Sequence, residues 1–197
     1  MEADGFEQGR RGVERLEAFS DGVFAIAITL LVLGIEVPDV SDSDLGTALS
    51  DLVPSVYAYF LGFAIIGLFW VGHHSFFAQV ERHDARLLWT NLLFLSLIAA
   101  VPFSSGLIGE YDGSQAATIV FAANVALASF ADHLSEWSAA RSGLLDPRSP
   151  WSRQRLFTWS QLIPLIFVLS IPLTLISVSL AQYFWLLNLL AARDRPG

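Results

Sequence analysis

Five stretches of this chain are almost or entirely free of charged side chains: Val23 to Ile35, Leu52 to Val80, Leu87 to Gly109, Gly113 to Ala131, and Leu156 to Ala192. A helix rises ~1.5 Å per residue and a bilayer core is ~30 Å thick, so about 20 apolar residues make one crossing. The first stretch extends back through Asp21 to about Val13, giving a full span with a polar inner third. The last is far too long for one crossing, and Pro172 near its middle suits the first turn of a new helix, so it divides there. The pattern predicts an all-α, integral membrane six-helix bundle that uses residues 1–197 as a single transmembrane domain. Its helices fall at about 13–36, 52–82, 86–108, 113–138, 153–170 and 172–192.

The charges give this bundle a direction. All 11 basic residues are arginine. Arg10, Arg11 and Arg15 precede helix 1; Arg82 and Arg86 join helices 2 and 3; Arg141, Arg148, Arg153 and Arg155 join helices 4 and 5; Arg193 and Arg195 follow helix 6. Every one falls on the same side, and short basic loops stay cytoplasmic. The opposite loops carry Glu36, Asp39, Asp42, Asp44 and Asp51, then Glu110 and Asp112. Both termini are therefore expected in the cytoplasm of a multi-pass protein of the cell membrane. The segment before helix 1 is acidic, with Glu2, Asp4, Glu7, Glu14 and Glu17, whereas a cleaved secretory signal opens on positive charge.

Composition excludes several functions. The net charge of −8 argues against nucleic acid, and the absence of cysteine removes disulfides, thiol chemistry and Cys-based metal sites. His73, His74, His83 and Asp84 lack metal-ligand spacing, because adjacent helical histidines point about 100° apart. Ser104, Ser105 and Gly106 make no nucleophile elbow, no His-Glu-x-x-His is present, and there is no lysine for a Schiff base. The chain reads as no enzyme, with no cofactor. Pro102 and Pro164 read as kinks filled by neighbouring Ser or Thr, Pro54 as a first-turn residue, and Trp151, Trp159 and Tyr111 as interface anchors.

A polar group inside a span costs roughly 2.5 to 3.5 kcal/mol on insertion scales and so faces protein or water. Asp21 lies about 12 Å along helix 1 from Val13. Arg15 is about 120° around the same helix from it, a poor position for a pair. Counting from the inner ends, His74 on helix 2 and Asn91 on helix 3 fall at similar depth, with Trp70 one turn from His74. Ser20, Asp21, His74 and Asn91 are thus expected in one hydrogen-bonded layer. Ile26, Leu30 and Leu33 form a separate apolar stripe with Gly22 at its inner end, about 140° from Asp21. By periodicity such a stripe meets lipid or another helix.

The run R-L-E-A-F-S-D from Arg15 to Asp21, followed by G-V-F-A-I-A-I-T-L-L-V-L, resembles the Arg-x-x-x-Phe-Ser-Asp signature of the TMEM175 family of potassium channels. L-F-W-V-G-H-H at Leu68 to His74 and N-L-L-F-L-S-L-I-A-A-V-P-F-S at Asn91 to Ser104 look like the second and third helices of its prokaryotic, single-repeat form. Helices 4 to 6 match in pattern only.

The resemblance implies a homotetramer in the bilayer, helix 1 of each copy lining a central pore for potassium and other monovalent cations. It implies a constriction at Ile26, apolar layers at Leu30 and Leu33, and a position linked to ion preference at Thr29. Phe19, Ser20 and Asp21 would bond to Trp70, His74 and Asn91 and hold the helices together, with Arg15 opening the motif. No T-V-G-Y-G loop is present, so selectivity would rest on an apolar ring that gates by dewetting, and would be moderate. Acids at the outer mouth, Glu36 and Asp39 foremost, would concentrate cations. Two rivals stand beside this reading. One is a proton-conducting channel of the same fold, since Asp21 and His74 are titratable. The other is a secondary transporter, which would show inverted repeats and interrupted helices that this chain lacks.

Overall fold

Each helix boundary has a local cause. The fold was obtained as a computed structural model that describes residues 2–148 and 162–185, with side chains from residue 9 to 148 and from 164 to 185. Helix α1 (Glu2–Leu30) tightens at its outer end into a 3-10 turn, Leu31–Gly34. A short helix α2 (Leu45–Asp51) precedes α3 (Val53–Phe77), which starts on Pro54 in its first turn, the one place where a missing N–H costs nothing. Helix α4 (Ala85–Ala99) is capped by Asp84, whose carboxylate accepts from Leu87 N at 2.8 Å. Helix α5 (Val101–Glu110) follows after one non-helical residue.

Helix α6 (Gln115–Arg141) is capped by Ser114 at its start. It ends in a Schellman turn: Gly143, at φ 63°, lets Leu144 N reach Ala139 O and its own N reach Ala140 O. Helices α7 (Leu162–Leu173) and α8 (Val178–Trp185) complete the described chain.

Among the described residues, four helical stretches are long and apolar enough to cross a membrane: Gly9–Gly34, Val53–Phe77, Ala85–Glu110 and Gln115–Arg141. Helix α1 packs on α3 and α4, α6 on α4, α5 and α7, and α7 on α8. Two apolar clusters hold them. The larger gathers Phe24, Ile66, Phe94, Ile98, Phe121 and Val125, all at most 1% exposed, among others. The smaller, toward the basic end, joins Val13, Leu16, Phe76, Phe77, Leu87 and Ala139 to Val80, Leu144 and Leu145. These last three come from two loops that pair like strands, through Glu81 N to Leu144 O and Asp146 N to Gln79 O, both 2.9 Å.

Three features differ from the sequence expectation. Pro172 does not divide the last apolar stretch: α7 runs through it to Leu173, and the chain turns at Thr174–Ile176. Pro172 is the penultimate residue of α7, and Ser177 supplies the next start by accepting from Leu180 N. The third span breaks between α4 and α5 because Pro102 cannot donate; the neighbouring Ser104 bonds Val101 O there as expected, and Asn124 of α6 adds bonds that were not expected. Its amide donates to Leu97 O at 3.0 Å and accepts from Ser104 Oγ at 2.8 Å. Helix α2 was not expected. Trp151, Trp159, Arg153, Arg155, Arg193 and Arg195 lie outside the described residues.

Candidate functional site

The two faces of α1 have opposite fates. Val13, Leu16, Ser20, Phe24, Ala27 and Leu31, spaced at three and four residues, are buried within the subunit. The opposite face is open: Ile26 is 61% exposed, Leu33 72% and Leu30 44%. Gly22 has nothing within 4 Å of the position its Cβ would take. Thr29 is exposed and closes its hydroxyl on Ile26 O at 2.8 Å. The stripe from Gly22 to Leu33 thus presents apolar surface with no charge and one internally satisfied hydroxyl.

Behind it, a directional chain of hydrogen bonds crosses three helices. His73 Nε2 meets Asn91 Oδ1 at 2.9 Å, Asn91 Nδ2 donates to Ser20 Oγ at 3.0 Å, and Ser20 Oγ donates to Leu16 O at 2.9 Å. Because the Asn91 oxygen can only accept, Nε2 of His73 carries the hydrogen. The ring stacks on Phe77 with centroids 4.3 Å apart, lies parallel to Phe94, and meets Phe24 edge-on. His73, Asn91 and Ser20 are each at most 1% exposed. Leaving one of them unpaired would cost about 1–3 kcal/mol, so the set fixes α1, α3 and α4 in register.

A second, outer pair of contacts ties the antiparallel α1 and α3 like rungs one turn apart. Trp70 Nε1 donates to Asp21 Oδ1 at 2.9 Å, and His74 Nδ1 lies 3.1 Å from Glu17 Oε1. The Trp70 indole stacks on the His74 ring. These groups stay largely on the subunit surface, the His74 side chain 56% exposed.

The structure therefore brings Ser20 together with Asn91, and Asp21 with Trp70; His74 stacks on Trp70 but its hydrogen bond goes to Glu17. The buried histidine is its neighbour His73, and His74 pairs with Glu17. Depth counting could not separate adjacent residues; the face could, since His73 continues the buried series Gly62, Ile66, Phe69, Phe76 and Phe77. Phe19 is 54% exposed, and Arg15 is exposed. Glu36 and Asp39 are exposed just beyond the outer end of the stripe. Sequence reasoning missed Asn124 and Glu17: Asn124 carries the signal that marks Asn91, an amide in an apolar run, and Glu17 falls on an unspecified position of the motif. Among the described residues, no group of three or more His, Asp or Glu side chains could hold a metal ion.

Comparison with known proteins places these features in context. The family described as "Endosomal/lysosomal potassium channel TMEM175" matches residues 15–102. A potassium channel of Streptomyces collinus is 45% identical over 140 residues, covering 68% of each chain. Bacterial relatives from Chamaesiphon minutus and a Chryseobacterium species, also named potassium channels, match over about half of their own length. The human endosomal/lysosomal proton channel TMEM175 is 42% identical over 100 residues, which cover 46% of this chain and 20% of that one. The crystal structure of a lysosomal potassium-selective channel homolog from Chamaesiphon minutus superposes with a TM-score of 0.81 at 33% identity, covering 92% of this chain and 97% of that one.

Proposed function

The chain belongs to the TMEM175 family, and on that premise we propose that it is a potassium-selective cation channel in which four copies surround a pore lined by α1. The carrying observation is the exposed stripe of Gly22, Ile26, Thr29, Leu30 and Leu33 on a helix whose other face is fully packed. Assembly has separate support. Asp21, Glu17 and His74 lie within a membrane-length helix pair yet sit at the subunit surface, where lipid would be a costly neighbour. A second copy or pore water relieves that cost.

The turn between α7 and α8 supports six crossings. Thr174 accepts from Gln115 Nε2 at the start of α6, and Trp185 Nε1 donates back to Ser170 Oγ. Helix α7 therefore rises to the end where α6 begins, and α8 descends from it. With the arginines inside, both termini are cytoplasmic and the protein resides in the cell membrane.

Conduction then rests on the stripe. Ile26 forms the narrowest ring, with Leu30 and Leu33 as apolar layers outward. A ring without polar atoms cannot replace the water shell of an ion, so it conducts only when wetted and favours ions that shed or deform hydration at lower cost. Potassium passes ahead of sodium by a moderate margin. Phe19, Ser20, Asp21, Trp70, Asn91 and the two histidines hold α1 in place and do not touch the ion.

Proton conduction through the same fold is the second reading, favoured by the mammalian relatives named proton channels. Recording from reconstituted protein under opposed potassium and sodium gradients tests both. Reversal near the potassium potential is expected; reversal that follows the proton gradient and ignores potassium would replace the first reading by the second.

A further inference from the structure

We propose that Asn124, with Ser104, is a positioning residue for the outer end of the pore lining, acting through the broken third span on the turn Leu31–Gly34; this rests on α1 lining the pore. The physical reason begins at Pro102, which has no N–H and leaves the helix ladder interrupted between Ala99 and Val101. A break inside a membrane is tolerated only where other groups satisfy the freed backbone. Here Ala100 N turns back to Leu97 O and Ile98 O, and a further donor comes from a different helix. Asn124 Nδ2 donates to Leu97 O at 3.0 Å on the α4 side, while Asn124 Oδ1 accepts from Ser104 Oγ at 2.8 Å on the α5 side. One amide thus touches both halves, and the buried Ser104 hydroxyl shares its hydrogen between Asn124 Oδ1 and its own helix's Val101 O at 3.1 Å.

The two halves hold different parts of α1. The inner half reaches it through Asn91 and Ser20. The outer half reaches its end through α3: Ser105 Oγ donates to Ala58 O at 2.5 Å, one residue from the clamp. Gly62 admits both Leu31 and Ser105, since a Cβ there would lie 2.6 Å from Leu31 Cδ2 and 2.9 Å from Ser105 Oγ. Pro102 and Ser105 also line one narrow crevice with Leu31 and Gly34. The angle between α4 and α5, set by Asn124, therefore dictates where Leu31–Gly34 sits. That turn carries Leu33, the outermost apolar layer. Ile26 lies in the continuous helix α1, before that turn begins.

The chain has no cysteine, so one introduced thiol reports one position. Leu33→Cys and Ile26→Cys are each reconstituted in the full-length protein, alone and combined with Asn124→Val. The rate at which an external water-soluble thiol reagent blocks potassium flux is then measured. Asn124→Val is expected to raise the rate at Leu33→Cys about tenfold and to leave Ile26→Cys within about twofold. Ser104→Ala, which keeps the bond to Leu97 O, gives a smaller rise in the same pattern and serves if Asn124→Val does not assemble. Equal changes at both positions, or none at Leu33→Cys, overturn the inference while the pore reading stands. A Leu33→Cys protein that reacts without any loss of potassium flux, or does not react at all, overturns both.

Discussion

Two adjacent histidines show how far one residue's place decides its role. His73 is 1% exposed and bonded to Asn91, whereas its neighbour is half outside the subunit and bonded to Glu17. His73→Ala opens a void between Phe24, Phe77 and Phe94 and leaves the Asn91 oxygen without a donor. The loss is expected at about 3 kcal/mol, visible as a lowered helical melting transition in detergent. His74→Ala leaves that transition near wild type, and a drop equal to that of His73→Ala would refute the assignment. Asp21→Ala removes the acceptor of Trp70 Nε1 from a surface that a second copy covers in the proposed assembly. It should dissociate the proposed tetramer on size exclusion more than it alters subunit helicity; an intact tetramer would show the outer rungs to be dispensable. The sequence made Ser20, Asp21, Trp70 and Asn91 visible as polar groups in apolar runs. It could not choose between His73 and His74, because both lie at one depth and only the packing of α3 distinguishes their faces.

At the scale of elements, membrane length and apolar composition made the first four spans legible, since no other structure satisfies the backbone in lipid. Breaks were less so. Pro102 and Pro172 look alike in sequence, yet the chain breaks at the first and continues through the second. The difference lies in what stands beside each: Asn124 reaches across to donate to Leu97 O beside the break at Pro102, and the helix carrying Pro172 ends one residue later. Close helix approach was equally hidden. Gly109 brings α5 against α3 so tightly that a Cβ would lie 2.9 Å from Ser55 Cα. Backbone cannot swing aside as a side chain can. Gly109→Ala is therefore expected to cost about 1–3 kcal/mol and to lower the thermal stability of the purified protein, while Gly106→Ala, with open space, does not. Equal stability of the two variants would mean that α3 and α5 do not cross there.

For the whole molecule, the charge pattern of the sequence, with arginines expected at one end and acids at the other, gives the proposed bundle an axis. Glu36, Asp39, Asp42, Asp44 and Asp51 are exposed at the end where the stripe on α1 finishes. Such a field raises local cation concentration and is screened within about 8 Å at physiological ionic strength. Glu36→Gln with Asp39→Asn should reduce single-channel conductance in dilute potassium and match wild type in concentrated salt; a reduction independent of salt would speak against a surface-charge effect. The central claim, that the apolar face of α1 is the conduction path, is tested most directly by the bi-ionic reversal potential of wild type against Ile26→Asn, potassium on one side and sodium on the other. Polar amides at the narrowest ring should raise total current and move the reversal potential from the potassium side toward zero. A reversal potential identical to wild type, with unchanged current, would contradict it.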